Sequence, residues 1–123
     1  MVPDATVLVV DDELGVRESL RLYFEQLGVG TICAGNGDDA LYILRTAERP
    51  PGLIVLDIMM PEMDGWEFRQ RQRQDPKLAA IPVVVVTALN DASAITQRLG
   101  AVATLRKPIE LEQLSALVER YCR

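Results

Sequence analysis

Four short apolar runs, rich in β-branched residues, recur along the chain: Thr6-Val-Leu-Val-Val10, Val29 to Cys33, Leu53-Ile-Val-Leu56 and Pro82-Val-Val-Val-Val-Thr87. Runs of this kind, uninterrupted by charge, have the pattern of strands buried on both faces. Segments with helical spacing lie between them. In the first, Val16, Leu20, Tyr23, Phe24 and Leu27 fall at i, i+4, i+7, i+8 and i+11, and Gly28 ends it. In the last, Leu111, Leu114, Leu117, Val118 and Tyr121 form one stripe after Pro108, preceded by a weaker fifth strand from Val102 to Leu105. Ala40, Leu41, Leu44 and Ala47 support a second helix, and Asp64-Gly-Trp-Glu67 has the form of a capping box that opens a third. The third helix is the weakest in pattern. After Phe68 it continues as Arg69-Gln-Arg-Gln-Arg-Gln74, so it is either short or anchored mainly by Trp66 and Phe68, with the polar tract read as a solvated face.

The order is therefore βα repeated five times. Charge-free strands alternating with helices argue for an α/β fold, a doubly wound parallel sheet covered on both faces and joined by right-handed crossovers. With 123 residues there is room for one core, and 49% hydrophobic residues make the composition globular. Pro50-Pro51-Gly52 and Asp75-Pro76 read as loop punctuation inside that one domain.

Charge and missing residue types narrow the chemistry. Thirteen Lys and Arg against eighteen Asp and Glu leave a net charge of -5, a poor start for binding a phosphate backbone, so direct nucleic-acid binding is not expected. The chain has no histidine, which removes Ser-His-Asp and Cys-His sites, histidine-based zinc ligation and any phosphohistidine on this chain. Cys33 and Cys122 are too few and too far apart for a disulfide framework and read as structural thiols in a reducing compartment. No apolar run approaches the roughly twenty residues needed to cross a bilayer, so the expectation is a cytoplasmic protein without membrane insertion.

In a doubly wound sheet, ligands bind beyond the carboxyl ends of the strands. The residues there are distinctive: Asp11, Asp12 and Glu13 after the first strand, Asp57 after the third, Thr87 ending the fourth and Lys107-Pro108 after the fifth. Singly, each has a bland reading; Asp11 or Asp12 alone is as well explained as the N-cap of the next helix. Together they are not bland. Carboxylates brought within about 5 Å repel by roughly 3 kcal/mol per pair at an effective dielectric near 20, a cost that calls for a compensating cation. Asp11, Asp12 and Asp57 against Lys107 leave a charge of -2, that of one divalent ion. An all-oxygen site with room for water suits Mg²⁺, whereas Zn²⁺ favours nitrogen and sulfur ligands. Once the ion is present the pocket can receive a phosphoryl group, with one oxygen on the metal, one on Lys107 and one on the Thr87 hydroxyl. The available nucleophile is a carboxylate on the central strand, and Asp57 is the best placed.

Val9-Val-Asp-Asp-Glu13, Asp57-Ile-Met-Met-Pro61, Met63-Asp-Gly65, Thr87-Ala88, Gly100-Ala101 and Lys107-Pro108, in that order over the whole length, resemble the receiver domain of two-component response regulators, in particular its chemotaxis-regulator-like members. The resemblance implies a flavodoxin-like sheet of order 2-1-3-4-5 and a single receiver domain over residues 1–123. It implies that Asp57 is the phosphoacceptor for a histidine kinase or histidine phosphotransfer protein, and that the output is a downstream protein target or effector domain. It further implies that Asp12 and Asp57 ligate Mg²⁺ through side chains, Asp11 acts mainly through water and the Met59 backbone carbonyl completes the protein ligands. Thr87 and Lys107 would sense the phosphoryl group, and the Lys107-Pro108 bond would be cis. Such a protein is not an enzyme in the ordinary sense, since it catalyses only its own phosphorylation and dephosphorylation. Small residues fit the same picture: Ala88 leaves the pocket open, Gly65 permits a tight start to the third helix and Pro61 stiffens the loop after the acceptor. Met59, Met60 and Met63 read as apolar packing around that loop.

Two departures from the family pattern stand out, Thr104 and a segment from Thr87 to Lys107 that is slightly shorter than typical. Thr104 occupies the position where the family commonly has an aromatic residue that moves with the threonine, so the switch formed by Thr87, Thr104, Lys107 and Pro108 has to work differently. Met59 and Leu89, two residues after Asp57 and Thr87, are apolar, from which a long-lived phosphoryl group is expected. Haloacid-dehalogenase-like phosphatases share the Asp, Mg²⁺, Thr and Lys chemistry, but their nucleophile sits in an Asp-x-Asp motif after the first strand, and 123 residues leave little for a cap. A flavodoxin-like electron carrier would need a phosphate loop where the acids stand. Nucleotide binding has only Gly28-Val-Gly30 to offer. A receiver-shaped interaction module that is never phosphorylated would be marked by loss of the acid pair, the acceptor or the lysine, all of which are present.

Overall fold

A computed structural model describes residues 5–122. The elements alternate as β1 (Thr6–Val10), α1 (Leu14–Gln26), β2 (Gly30–Ala34), α2 (Gly37–Thr46), β3 (Leu53–Asp57), α3 (Gly65–Gln74), β4 (Val83–Thr87), α4 (Ala92–Leu99), β5 (Ala103–Arg106) and α5 (Leu111–Cys122). The strands form one parallel sheet in the order β2-β1-β3-β4-β5. The flavodoxin-like (βα)5 expectation therefore holds. Strand ends differ from the sequence pattern by a residue: β2 and β5 start one position later than expected, and β4 starts after Pro82, which has no N–H to give the ladder.

The apolar runs are continuous because both faces of the sheet are covered. Val7 and Val9 of β1, Leu53 and Val55 of β3 and Val84 and Val86 of β4 pack with Leu20 and Phe24 of α1 and Leu114 and Val118 of α5. Their alternates Leu8, Val10, Ile54, Leu56, Val83 and Val85 pack with Leu41 and Leu44 of α2, Phe68 of α3 and Ile95 and Leu99 of α4. Burying a Val, Leu or Phe side chain contributes about 1.5–3 kcal/mol, so the residues that specify the strands also supply most of the driving force.

The Asp64 carboxylate accepts the Glu67 N–H at 3.0 Å and opens α3 as the capping pattern predicts. Its polar tract departs from expectation. Gln70, Arg71, Arg73 and Gln74 are exposed, but Arg69 and Gln72 are buried. The reason lies in partners distant in sequence. Arg69 donates from Nε to the Leu99 carbonyl at 2.8 Å, from one terminal nitrogen to Gly100 O at 3.0 Å and from the other to Gln72 Oε1 at 2.7 Å. Gln72 in turn donates to the carbonyls of Leu78 and Ile81 at 2.9 and 3.1 Å. The guanidinium satisfies carbonyls that the C-terminus of α4 leaves without helical partners, so a polar residue takes a core position on α3.

Candidate functional site

Register alone assembles the site. Val10 pairs with Leu56, Asp57 with Val86 and Thr87 with Arg106. Because all five strands are parallel, Asp11, Asp57, Thr87 and Lys107 emerge at the same edge of the sheet, within two residues of one another in height. Asp11, Asp57 and Thr87 are buried, while Asp12 is exposed at the rim. Carboxylate oxygens of Asp11, Asp12 and Asp57 lie within 4.8 Å of one another. Lys107 reaches into this group, with Nζ 3.4 Å from Asp11 Oδ2 and 3.6 Å from Asp57 Oδ2.

Local hydrogen bonds fix the acids. Asp11 Oδ1 accepts the Glu13 N–H at 2.9 Å, and Asp57 Oδ1 accepts the Met59 N–H at 3.2 Å. The cap of α1 is Glu13, with no side-chain cap bond, so neither Asp11 nor Asp12 is spent as an N-cap. Arg17, which sequence reasoning did not single out, donates to the Asp11 carbonyl at 2.7 Å; its place in the first turn after the acid pair is the signal that was available. Thr87 Oγ1 accepts the Leu89 N–H at 3.1 Å, and the Thr87 carbonyl accepts the Lys107 N–H at 2.8 Å, tying the hydroxyl and the lysine into one frame. The Lys107-Pro108 peptide is cis, as the family resemblance implies.

The loop after Asp57 is shaped by glycine. Gly65 donates to the Ile58 carbonyl at 2.9 Å, and a Cβ there would stand 2.7 Å from Ile58 Cα and 2.9 Å from Asp57 O. Any side chain at this position would push back the backbone that carries Asp57. Met60 and Met63 pack inward as expected. Met59 does not: its N–H is bonded to Asp57 Oδ1 while the residue is 61% exposed. Thr104 stays outside the cluster, its hydroxyl bonded to Thr96 of α4 at 2.7 Å.

The electrostatics reflect crowding of like charge. Burial pushes the Asp57 carboxyl above the usual carboxylate range, and the neighbouring Asp11 adds to that, against the opposing pull of Lys107 and of the Met59 N–H. At Lys107 partial burial acts to lower the ammonium pKa, but Asp11 and Asp57 outweigh it and hold it above its ordinary value. One ammonium does not neutralise three carboxylates. The donor set is all oxygen, partly open to water, and carries the charge that a hard divalent cation would balance, so these residues fit Mg²⁺.

The comparisons with known proteins agree with the geometry. Residues 7–119 match the family model for the response regulator receiver domain. The chain is 36% identical over 121 residues to the response regulator Rre1 of Synechocystis, covering 96% of this chain and 52% of that protein. It is likewise 36% identical over 119 residues to a probable transcriptional regulator, ycf27, of Cyanophora paradoxa, covering 95% of this chain and 48% of that protein. The chain thus spans about half the length of these curated relatives. Among solved structures, a response regulator receiver protein from Pseudomonas putida superposes with a TM-score of 0.86 at 31% identity, covering 94% of this chain and 96% of that one. The chemotaxis protein CheY4 of Vibrio cholerae does so at 0.84 and 27% identity, covering 95% and 98%.

The chain belongs to the response regulator receiver domains of two-component signalling. Receivers of this family are not enzymes in the ordinary sense; they interact with histidine kinases and effectors and bind Mg²⁺ at an acidic pocket of the kind found here. None of the comparisons favours a phosphatase, an electron carrier or a nucleotide-binding protein. Among the described residues no helix is long and apolar enough to cross a membrane.

Proposed function

We infer that Asp57 accepts a phosphoryl group from a phosphohistidine on a partner, a histidine kinase or histidine phosphotransfer protein, and that residues 1–123 act as one cytoplasmic receiver domain. The observation that carries this is the convergence of three carboxylates within 4.8 Å around one lysine, on a chain with no histidine of its own. An Asp57 carboxylate oxygen forms the new bond to phosphorus while the bond from phosphorus to the histidine nitrogen breaks, and that nitrogen keeps the electron pair. Bound Mg²⁺ would supply charge neutralisation for the incoming phosphoryl oxygens, held by the Asp12 and Asp57 side chains and the Met59 carbonyl, with Asp11 acting through water.

Lys107 already pairs with the Asp57 carboxylate and would follow the charge onto the phosphoryl group. The Thr87 hydroxyl, which now accepts the Leu89 N–H, has its own proton free to donate to a phosphoryl oxygen. Turning that hydroxyl toward the group would disturb the Leu89 bond at the strand end whose backbone also holds Lys107, and so would pass the change toward Pro108 and β5. Thr104 would take part through its bond to Thr96 and not through an aromatic swing. Dephosphorylation needs a water in line behind the phosphorus, and Met59 and Leu89 offer it no polar anchor, so the acyl phosphate would be long-lived; a half-life of seconds would overturn that part. The output is a downstream protein target or effector domain.

The test is incubation with Mg²⁺ and acetyl phosphate, read by intact mass. One added phosphoryl that Asp57→Asn abolishes supports the reading. No adduct, or an adduct that survives the substitution, overturns it.

A further inference from the structure

The outer groove between α3 and α4 carries charge of the opposite sign to the rest of the protein. It encloses about 380 Å³ and is lined by Trp66, Arg69, Gln70, Arg73, Gln74 and Arg98. Trp66, Arg69, Gln70 and Arg73 fall at i, i+3, i+4 and i+7, so one face of α3 presents them all toward α4.

Three guanidiniums converge here without a carboxylate. The acids nearest in sequence are engaged on other sides of the helix, Glu67 with Arg71 at 3.7 Å and Asp75 with Arg45 at 3.9 Å. Among the described residues, Arg69, Arg73 and Arg98 form no ion pair. Arg69 is occupied by backbone carbonyls, and Arg73 adds a long bond to Leu99 O at 3.4 Å. The negative pole of α4, worth about half a unit charge, offsets only part of three positive ones. The remaining repulsion is felt by Arg69, whose pKa is lowered by burial and then by Arg73. Arg98 stacks 4.5 Å above the Trp66 ring. Arg73 and Arg98 are both exposed.

We propose that this groove docks an acidic peptide segment of a partner protein, with carboxylates on Arg73 and Arg98 and an apolar side chain against Trp66. An elongated groove favours a peptide over a compact ion, since Trp66 to Arg73 spans about 10 Å along the helix at 1.5 Å per residue. Charge complementarity sets the sign of the occupant, because the lining holds three arginines and no carboxylate on a molecule whose net charge is -5. The contact is independent of the phosphoacceptor pocket and stands or falls apart from it.

Trp66 is the chain's one tryptophan, so its fluorescence reports this groove alone. The probe is a synthetic peptide of four glutamates flanking a leucine, titrated at low salt, with calorimetry supplying affinities where a substitution alters the emission itself. A saturable change in Trp66 emission is expected, together with a loss of affinity of roughly threefold in each of Arg73→Gln and Arg98→Gln. Arg71→Gln, on the opposite side of α3, should leave the affinity unchanged. Raising the salt from about 0.01 M to about 0.15 M shortens the screening length from about 30 Å to about 8 Å and should weaken binding steeply. The glutamine version of the peptide should not bind. No saturable binding, or binding unchanged in the Arg73→Gln, Arg98→Gln double variant, overturns the proposal. So does an equal response to inorganic phosphate alone, which would make the groove a small-anion site.

Discussion

Two buried polar clusters sit on this one sheet, and they are built on opposite principles. Beneath α3, Arg69 and Gln72 satisfy each other and carbonyls from four other positions, Leu78, Ile81, Leu99 and Gly100. At the carboxyl edge, Asp11 and Asp57 are turned toward each other and toward Asp12, with one lysine between them. The first cluster is complete without a ligand. The second holds an excess of like charge that the fold has not compensated. Burial of polar groups therefore does not mark function by itself; uncompensated charge at a strand edge does.

This contrast can be broken from either side. The largest effect is expected from Arg69→Leu, which removes the donor to the Gly100 carbonyl and to the Gln72 side-chain oxygen and leaves the Leu99 carbonyl only the long bond from Arg73. Urea denaturation should register a loss of about 3 kcal/mol, and a loss under about 0.5 kcal/mol would show that the network is not structural. Next, Mg²⁺ should raise the melting temperature through mass action, contributing about 2.7 kcal/mol at a hundredfold excess over its dissociation constant. Asp12→Ala should remove that response while Arg69→Leu keeps it.

Smaller and opposite in sign, Asp57→Asn should stabilise the ion-free protein by about 1 kcal/mol, since it deletes a carboxylate whose charge the fold disfavours. The pH dependence follows the same logic. A carboxyl whose native pKa is raised binds more protons folded than unfolded, so in chelator the stability falls as pH rises from the ordinary carboxylate range through the raised value. Asp57→Asn should flatten that slope, and an unchanged slope would place the titration elsewhere. The smallest effect is expected at the α4–β5 contact. Thr104→Val removes the 2.7 Å bond to Thr96 and should cost about 1 kcal/mol or less in stability. If α4 is coupled to the pocket through that bond, the same variant should change how phosphorylation alters hydrogen exchange in α4; identical exchange patterns would remove Thr104 from the switch.

The strands and most of the site were legible because they depend on local pattern. A parallel strand buried on both faces reads as an unbroken β-branched run, and the side chains of the candidate site follow such runs directly, so the Val10–Leu56, Asp57–Val86 and Thr87–Arg106 pairings suffice to bring Asp11, Asp57, Thr87 and Lys107 to one edge. The α3 tract was misread for the converse reason. Arg69 and Gln72 look solvated to any local pattern, because the carbonyls that bury them lie up to 31 residues away. The exposure of Met59 has the same origin: apolarity is written in the sequence, but which side chains of a loop face solvent is not.

The sequence by itself determined the order of elements, the parallel sheet and the chemistry available at its carboxyl edge, since hydrophobic period and residue type are local properties. Only the tertiary structure decided which acid is buried and which sits at the rim, which side of α3 carries uncompensated arginines and where Thr104 finds its partner. Those outcomes depend on distances between segments far apart in the chain, and burial and Coulomb interaction are set by such distances, not by sequence neighbours.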